Sequence, residues 1–383
     1  MEIKKIKVAM IMGKMHGNGV EAVVLNYFKC IDKSKFKIDF IVDEDSTAIP
    51  KEDIEKMGGT VHVVAPYQNL IKYDSDLRRI FKKNNYDIVH SNVNTLSVFP
   101  LRIAKQCGVP VRIAHNHSTA APNEIKKTIV KSVLKLFSTR YATHFMAPTR
   151  YAGKWLFGNE VEKNNFMVLR NAIDVERFKF SKSKREEIRN DLNIKQDEFL
   201  LGSVGRFVWQ KNPMFTAKVF LEFLKINKKA KLLFIGNGPL KKDVVEFSKK
   251  NNIFGRIIFL KNTKSIEDYY QVMDALIFPT HYEGFGNVGL EAQCNGMKVF
   301  ASENVPEEVN LTDLFERLDL EEEPRLWAQK IADCDYQTLK REKYADKIGK
   351  SMYNLDNSSK ELEVFYENAL GIASKKSSSL VLP

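Results

Sequence analysis

Cysteine is scarce in this chain. There are four in 383 residues, Cys30, Cys107, Cys294 and Cys334, and no two are spaced as Cys-x-x-Cys. That excludes a disulfide framework and a thiolate zinc site, and points to reduced thiols in a cytosolic setting. Long apolar runs are also missing. No window approaches the roughly 20 apolar residues of a membrane-spanning helix. The apolar stretch at 6–12 gives way at once to polar residues, which does not fit a signal peptide. The chain is therefore expected to be soluble or peripheral. The net charge of +12, from 60 Lys and Arg against 48 Asp and Glu, attracts polyanions. No recognition motif or basic-aromatic platform accompanies it, so nucleic acid is not an expected partner.

What the chain does have is alternation. Short apolar strands are expected at 7–12, 37–42, 60–64, 88–91, 111–115 and 144–147, then at 199–204, 231–235, 257–260, 275–278 and 298–301. Helix-compatible stretches separate them. The spacing predicts an α/β protein with two doubly wound parallel sheets, and 44% hydrophobic content is enough for two cores.

The most informative segment follows the strand at 275–278. His281-Tyr282-Glu283-Gly284-Phe285-Gly286-Asn287-Val288-Gly289-Leu290-Glu291 places two carboxylates eight positions apart around a small-residue turn that opens a helix. N–H groups of Gly284, Phe285, Gly286, Asn287 and Val288 at such a helix start suit a sugar or phosphate oxygen, and glycine permits close approach. The plainer alternative is one acid complementing the helix dipole and a second, solvated glutamate one turn on.

Three other loops stand out. Gly202-Ser203-Val204-Gly205-Arg206-Phe207 is followed by Gln210-Lys211-Asn212-Pro213, two cations five positions apart that on their own read as an isolated Gly-Arg and a surface lysine. The strand 231–235 ends in Gly236-Asn237-Gly238, at the carboxyl end where ligands of open α/β sheets bind. After the first strand comes Gly13-Lys14-Met15-His16-Gly17-Asn18-Gly19-Val20-Glu21. With Asp43 ending the second strand, this loop also allows a dinucleotide site, but Gly13-x3-Gly17-x-Gly19 is not Gly-x-Gly-x-x-Gly.

The acid-x7-acid segment with its Gly-Phe-Gly, preceded by the Arg206 and Lys211 pair, resembles the signature of retaining glycosyltransferases of family 4, which have the two-domain GT-B fold. The likeness covers about 6–310. It implies two Rossmann-like domains facing across a cleft: an acceptor-side domain at 1–171, a nucleotide-sugar-binding domain at 172–350, and a closing segment at 351–383 whose helix crosses back to the first domain. It further implies that Glu291 binds the nucleotide ribose and that Glu283 lies near the donor sugar. Arg206 and Lys211 would hold the diphosphate, Gly205, Gly236 and Gly238 would line the donor pocket, and Gly17 and Gly19 would admit the donor diphosphate or the acceptor hydroxyl. The segment 168–174 resembles the family's interdomain linker, with Arg170 in place of the usual proline.

His115-Asn116-His117 resembles the His-x-His turn of capsule and exopolysaccharide members of the family. Contact of His115 or His117 with the sugar or acceptor ranks first, helix capping by Asn116 or Ser118 second, and metal binding last. Asp43-Glu44-Asp45 and Asp333-Cys334-Asp335 imitate a metal-binding Asp-x-Asp but read as solvated surface acids, the second within a helical region. No metal site and no cofactor are expected. In 123–137 an apolar face lies opposite Lys127, Lys131 and Lys135, either a core-facing helix or a patch for anionic lipid.

These expectations amount to a hexosyltransferase moving a sugar from a nucleotide-sugar donor, UDP-linked, to a glycan or lipid-linked acceptor of bacterial surface polysaccharide. The site would be cytoplasmic or peripheral on the inner membrane face. The alternatives are a GT-B nucleotide-sugar epimerase and a non-catalytic polyanion- or membrane-binding module.

Overall fold

The computed structural model describes residues 5–17, 19–117, 134–261, 263 and 265–372. The chain divides into two compact units, Met1–Ala172 with Leu355–Pro383, and Ile173–Asn354.

Unit 1 holds a seven-stranded sheet of order β3-β2-β1-β4-β5-β6-β7. Its strands are β1 Ile6–Gly13, β2 Phe36–Asp43, β3 Thr60–Val64, β4 Ile88–Ser91, β5 Val111–His115, β6 His144–Ala147 and β7 Phe166–Val168. Unit 2 holds a six-stranded sheet of order β10-β9-β8-β11-β12-β13, with β8 Leu200–Val204, β9 Lys231–Ile235, β10 Ile257–Leu260, β11 Ala275–Phe278, β12 Lys298–Ser302 and β13 Phe315–Leu318. Every pairing in both sheets is parallel. Helices cover both faces of such a sheet, so its central strands are apolar throughout. In β1, Val8 to Met12 are all buried. Strand order reverses between β1 and β4, and again between β8 and β11, and the carboxyl ends beside such reversals are where α/β proteins bind ligands.

Two strands escaped the sequence reading. β7 has only three residues, and β13, Phe-Glu-Arg-Leu, carries two charged side chains at the sheet edge. Asp333 ends the helix Pro324–Asp333, while Asp335 lies beyond it and accepts the N–H groups of Gln337 and Thr338.

The helix Leu355–Ala369 belongs to unit 1. Its Leu362 and Tyr366 enter the core with Phe36 and Ile38. Buried Tyr27 Oη lies 2.5 Å from both the Arg170 carbonyl and Ser358 Oγ. Glu363 accepts the Asp32 N–H at 2.7 Å, and Lys35 pairs with Glu367 at 3.2 Å.

Of the lysine-faced segment at 123–137, Lys127 and Lys131 lie outside the described residues. Lys135 Nζ sits 4.8 Å over the Trp155 ring. Leu136, expected on the apolar face, is 78% exposed and belongs to a turn. Among the described residues no helix is long and apolar enough to cross a membrane.

Candidate active site

In unit 2 the site is built on the carboxyl ends of β8, β9 and β11. Gly205 N donates to the Ile235 carbonyl and Phe207 N to that of Asn237, both at 3.0 Å, so the loop after β8 is laid against the loop after β9. The glycines make this apposition possible. A Cβ on Gly236 would lie 2.0 Å from the Gly205 carbonyl oxygen, and one on Gly238 would lie 2.5 Å from that of Phe207. Gly236 and Gly238 press against the Arg206 loop and hold it. Arg206 itself is exposed, with no ion pair among the described residues.

Lys211 ends the short turn Trp209–Lys211 before the helix Pro213–Ile226. Its Nζ pairs directly with Glu283 Oε1 and lies 5.2 Å from the Phe278 ring centre. Thr280 Oγ1 is 2.9 Å from the same carboxylate oxygen, and the Glu283 side chain is only 9% exposed. Gln210 Nε2 donates to the Tyr282 carbonyl at 2.9 Å, while His281 N donates to the Gln210 carbonyl at 2.8 Å. Those two bonds clamp the lysine loop to the glutamate loop. Ser203, Arg206, Lys211, Phe234 and Phe278 line a small pocket here.

Past Glu283, Gly286 adopts φ 106° and starts the helix Asn287–Cys294. A Cβ there would meet the Phe278 ring at 3.2 Å. The Phe285 side chain is buried and stacks on Tyr353 with ring centres 5.3 Å apart, so it anchors the loop. One turn into the helix, Glu291 Oε2 accepts the Tyr270 hydroxyl at 2.8 Å. Burial raises the Glu291 pKa, against the opposing effects of the Tyr270 hydrogen bond and the Arg177 and Lys211 charges.

Tyr270 and Arg177 went unnoticed in the sequence, which offers no spacing that ties them to Glu291. Tyr270 is itself held from behind. Arg185 Nη1 donates to the carbonyls of Gln271, Val272 and Met273 at 2.9–3.1 Å, and Arg341 Nη2 donates to that of Tyr270 at 3.1 Å. Asp274 accepts from Arg185 at 2.5 Å.

In unit 1, His115 ends β5 and His117 follows it, their rings 3.8 Å apart. His117 Nε2 lies 3.0 Å from Asn92 Oδ1, and its backbone N–H donates to Asn94 Oδ1 at 2.7 Å. His90, on β4, bonds His115 Nδ1 through its Nε2 at 3.0 Å. Burial lowers all three pKa values, to about 3 for His90 and His117 and well below the usual range for His115, so the rings are neutral. In the loop after β1, the Glu21 carboxylate accepts the His16 and Gly17 N–H groups at 2.8 and 2.5 Å. Gly17 has φ +77°, and no atom lies within 4 Å of a Cβ built on Gly19.

One expectation is corrected. Asp43 is 5% exposed, not a solvated acid, because it ends β2 inside the sheet layer. Burial, with Asp45 and Glu44 adding repulsion, lifts its pKa to about 6. Glu44 and Asp45 are surface acids paired with Lys72 and Lys14 at 3.1 and 2.7 Å. Among the described residues no three His, Cys, Asp or Glu side chains converge as metal ligands.

Two all-parallel doubly wound units are the architecture of the GT-B glycosyltransferases. Residues 17–177 match the family "Glycosyltransferase Family 4" and residues 184–333 match "Glycosyl transferases group 1". The chain belongs to the glycosyltransferases built from these two modules.

Among its relatives are EpsF of Bacillus subtilis (strain 168), named as a glycosyltransferase, 28% identical over 85% of this chain and 87% of that one. Another is CapH of Staphylococcus aureus, named as a capsular polysaccharide biosynthesis glycosyltransferase, 22% identical over 94% and 98%. A third is an Escherichia coli enzyme named UDP-Gal:alpha-D-GlcNAc-diphosphoundecaprenol alpha-1,3-galactosyltransferase, 25% identical over 78% and 79%. The fold matches the crystal structure of Anabaena HepE in complex with UDP-glucose, with TM-score 0.78 and 17% identity over 96% of this chain and all of that one.

Proposed function

We propose that the protein is a retaining hexosyltransferase that moves a sugar from a UDP-linked donor to a glycan or lipid-linked acceptor in bacterial surface polysaccharide synthesis. The observation that carries this reading is the Lys211–Glu283 pair beside exposed Arg206 at the carboxyl ends of β8 and β11. Arg206 and Lys211 neutralise the diphosphate as the sugar–phosphate bond breaks. The chain supplies this charge from its own side chains, so turnover needs no added divalent metal and no cofactor. Glu291, steadied by Tyr270, accepts hydrogen bonds from the ribose hydroxyls. Glu283 faces the donor sugar, and His115 or His117 contacts the sugar or the acceptor.

Retention follows from attack on the face the leaving group departs. The acceptor oxygen bonds to the anomeric carbon, the bond from that carbon to phosphate oxygen breaks, and the acceptor proton passes to the departing phosphate. The names of the capsular relative and of the relative acting on a diphosphoundecaprenol-linked sugar support the acceptor class, and the UDP-glucose bound by HepE supports the donor class. We place the enzyme in the cytoplasm, peripheral to the inner membrane face.

The test is a thermal-shift panel of UDP, GDP, ADP and NAD, because a ligand that binds the native state raises its melting temperature. UDP is expected to stabilise the wild type and to lose that effect in Lys211→Ala. Stabilisation by NAD alone overturns the reading. Transfer assays with and without EDTA, reading the product's anomeric configuration by NMR, test the metal and stereochemical claims. An inverted product or complete loss in EDTA refutes the respective claim.

A further inference from the structure

Among the described residues, the cluster around His115 contains one buried atom without a hydrogen-bond partner. Among the described residues His115 Nε2 has no hydrogen-bond partner, although the residue is 2% exposed. A buried imidazole nitrogen left unsatisfied is costly, and here it lies at the carboxyl end of β5, in the sheet layer where ligands of such folds bind.

The remaining bonds decide what that nitrogen carries. His90 Nδ1 is 2.7 Å from Tyr366 Oη, and His90 Nε2 is 3.0 Å from His115 Nδ1. Tyr366 comes from the helix Leu355–Ala369 and is fully buried. Burial raises its pKa, so the phenol keeps its proton. If Tyr366 accepted from His90, its own O–H would be buried with no partner among the described residues. It therefore donates to His90 Nδ1. His90, being neutral, must then carry its single proton on Nε2 and donate to His115 Nδ1. That leaves the His115 proton on Nε2, the orphaned atom.

We propose that Tyr366 and His90 are positioning residues that fix His115 as an Nε2–H donor toward a substrate oxygen. The nature of that oxygen, a donor-sugar hydroxyl or phosphate or an acceptor hydroxyl, rests on the transferase reading above, whereas the proton order does not. None of the three residues is close to another in sequence, and the relay joins the last described helix to the ends of β4 and β5.

The experiment is a long-range proton–nitrogen correlation spectrum of the ligand-free, histidine-labelled full chain at neutral pH. His90 and His115 are both expected as Nε2–H tautomers. His90→Leu removes the donor and should give His115 a mixture of tautomers with about a tenfold or greater fall in kcat/KM for sugar transfer. His90→Gln, whose amide nitrogen reaches the place of Nε2, should recover most of both. Tyr366→Phe should cause a smaller loss of the same kind. A rise confined to the KM for nucleotide sugar assigns the oxygen to the donor, and one confined to the acceptor KM assigns it there. A wild-type His115 protonated on Nδ1 overturns the proposal, as does a His90→Leu enzyme with unchanged tautomer and turnover. Should His90→Leu fail to fold, the wild-type spectrum and Tyr366→Phe decide. A wild type that transfers no sugar yet gives the expected spectrum refutes the transferase reading and leaves the proton order standing.

Discussion

Asp43 shows how much one side chain can cost. Its pKa is raised from 3.8 to about 6, so the folded protein binds a proton there that the unfolded chain releases. The sign follows: this group's penalty is absent below about pH 4, grows as pH rises through 6, and is complete above it. Asp43→Asn is therefore expected to raise the melting temperature at pH 7.5 and to change it little at pH 4. The gain at pH 7.5 is at most about 3 kcal/mol by the size of the shift. Melting curves at the two pH values check it, and an equal effect at both rules out titration as the cause. The sequence concealed this residue because three acids in a row look like a wet loop, and only the end of β2 decides which of them points inward. Glu283 and Lys211 were easier. They stood out through the family resemblance and not through spacing alone, and their direct pairing depends on two loops 72 residues apart.

At the scale of elements, the strands of both sheets were largely legible because parallel strands buried on two faces are short apolar runs between helices. β7 and β13 were not, because an edge strand needs fewer apolar residues. The glycines were legible as turns but not in the close backbone approach they permit. Gly236 has φ +144°, and its missing Cβ makes room for the Gly205 carbonyl. Gly236→Ala should destabilise the protein by about 1–3 kcal/mol, as over-packing against fixed backbone does, and weaken nucleotide binding by shifting the Arg206 loop. Gly255→Ala, with no atom within 4 Å of its new Cβ, is the control and should stay within about 0.5 kcal/mol. Calorimetric melting with nucleotide titration of both variants checks the pair. The arginines behind Tyr270 are a further case: most of their targets are backbone carbonyls, which leave no mark in a sequence.

For the molecule as a whole, the helix Leu355–Ala369 matters most, because it places residues from the far end of the chain in the core of unit 1. Removing residues from 355 onward would uncover Tyr27 and Phe36 and strip His90 of its tyrosine. The shortened protein is expected to lose amide-exchange protection in β1, β2 and β4 while β8, β9 and β11 keep theirs. Hydrogen exchange read by mass spectrometry distinguishes this from general unfolding, in which both sheets would lose protection together.

The same arrangement sets an order in time. A ribosome emits the strands of unit 1 first, but the helix that seals their core only after all of unit 2 has been made. Unit 2 is continuous and can close as it emerges. The half of the enzyme that is begun first is thus finished last, with an apolar face open throughout the synthesis of its neighbour, and it is there that a newborn chain most needs a chaperone.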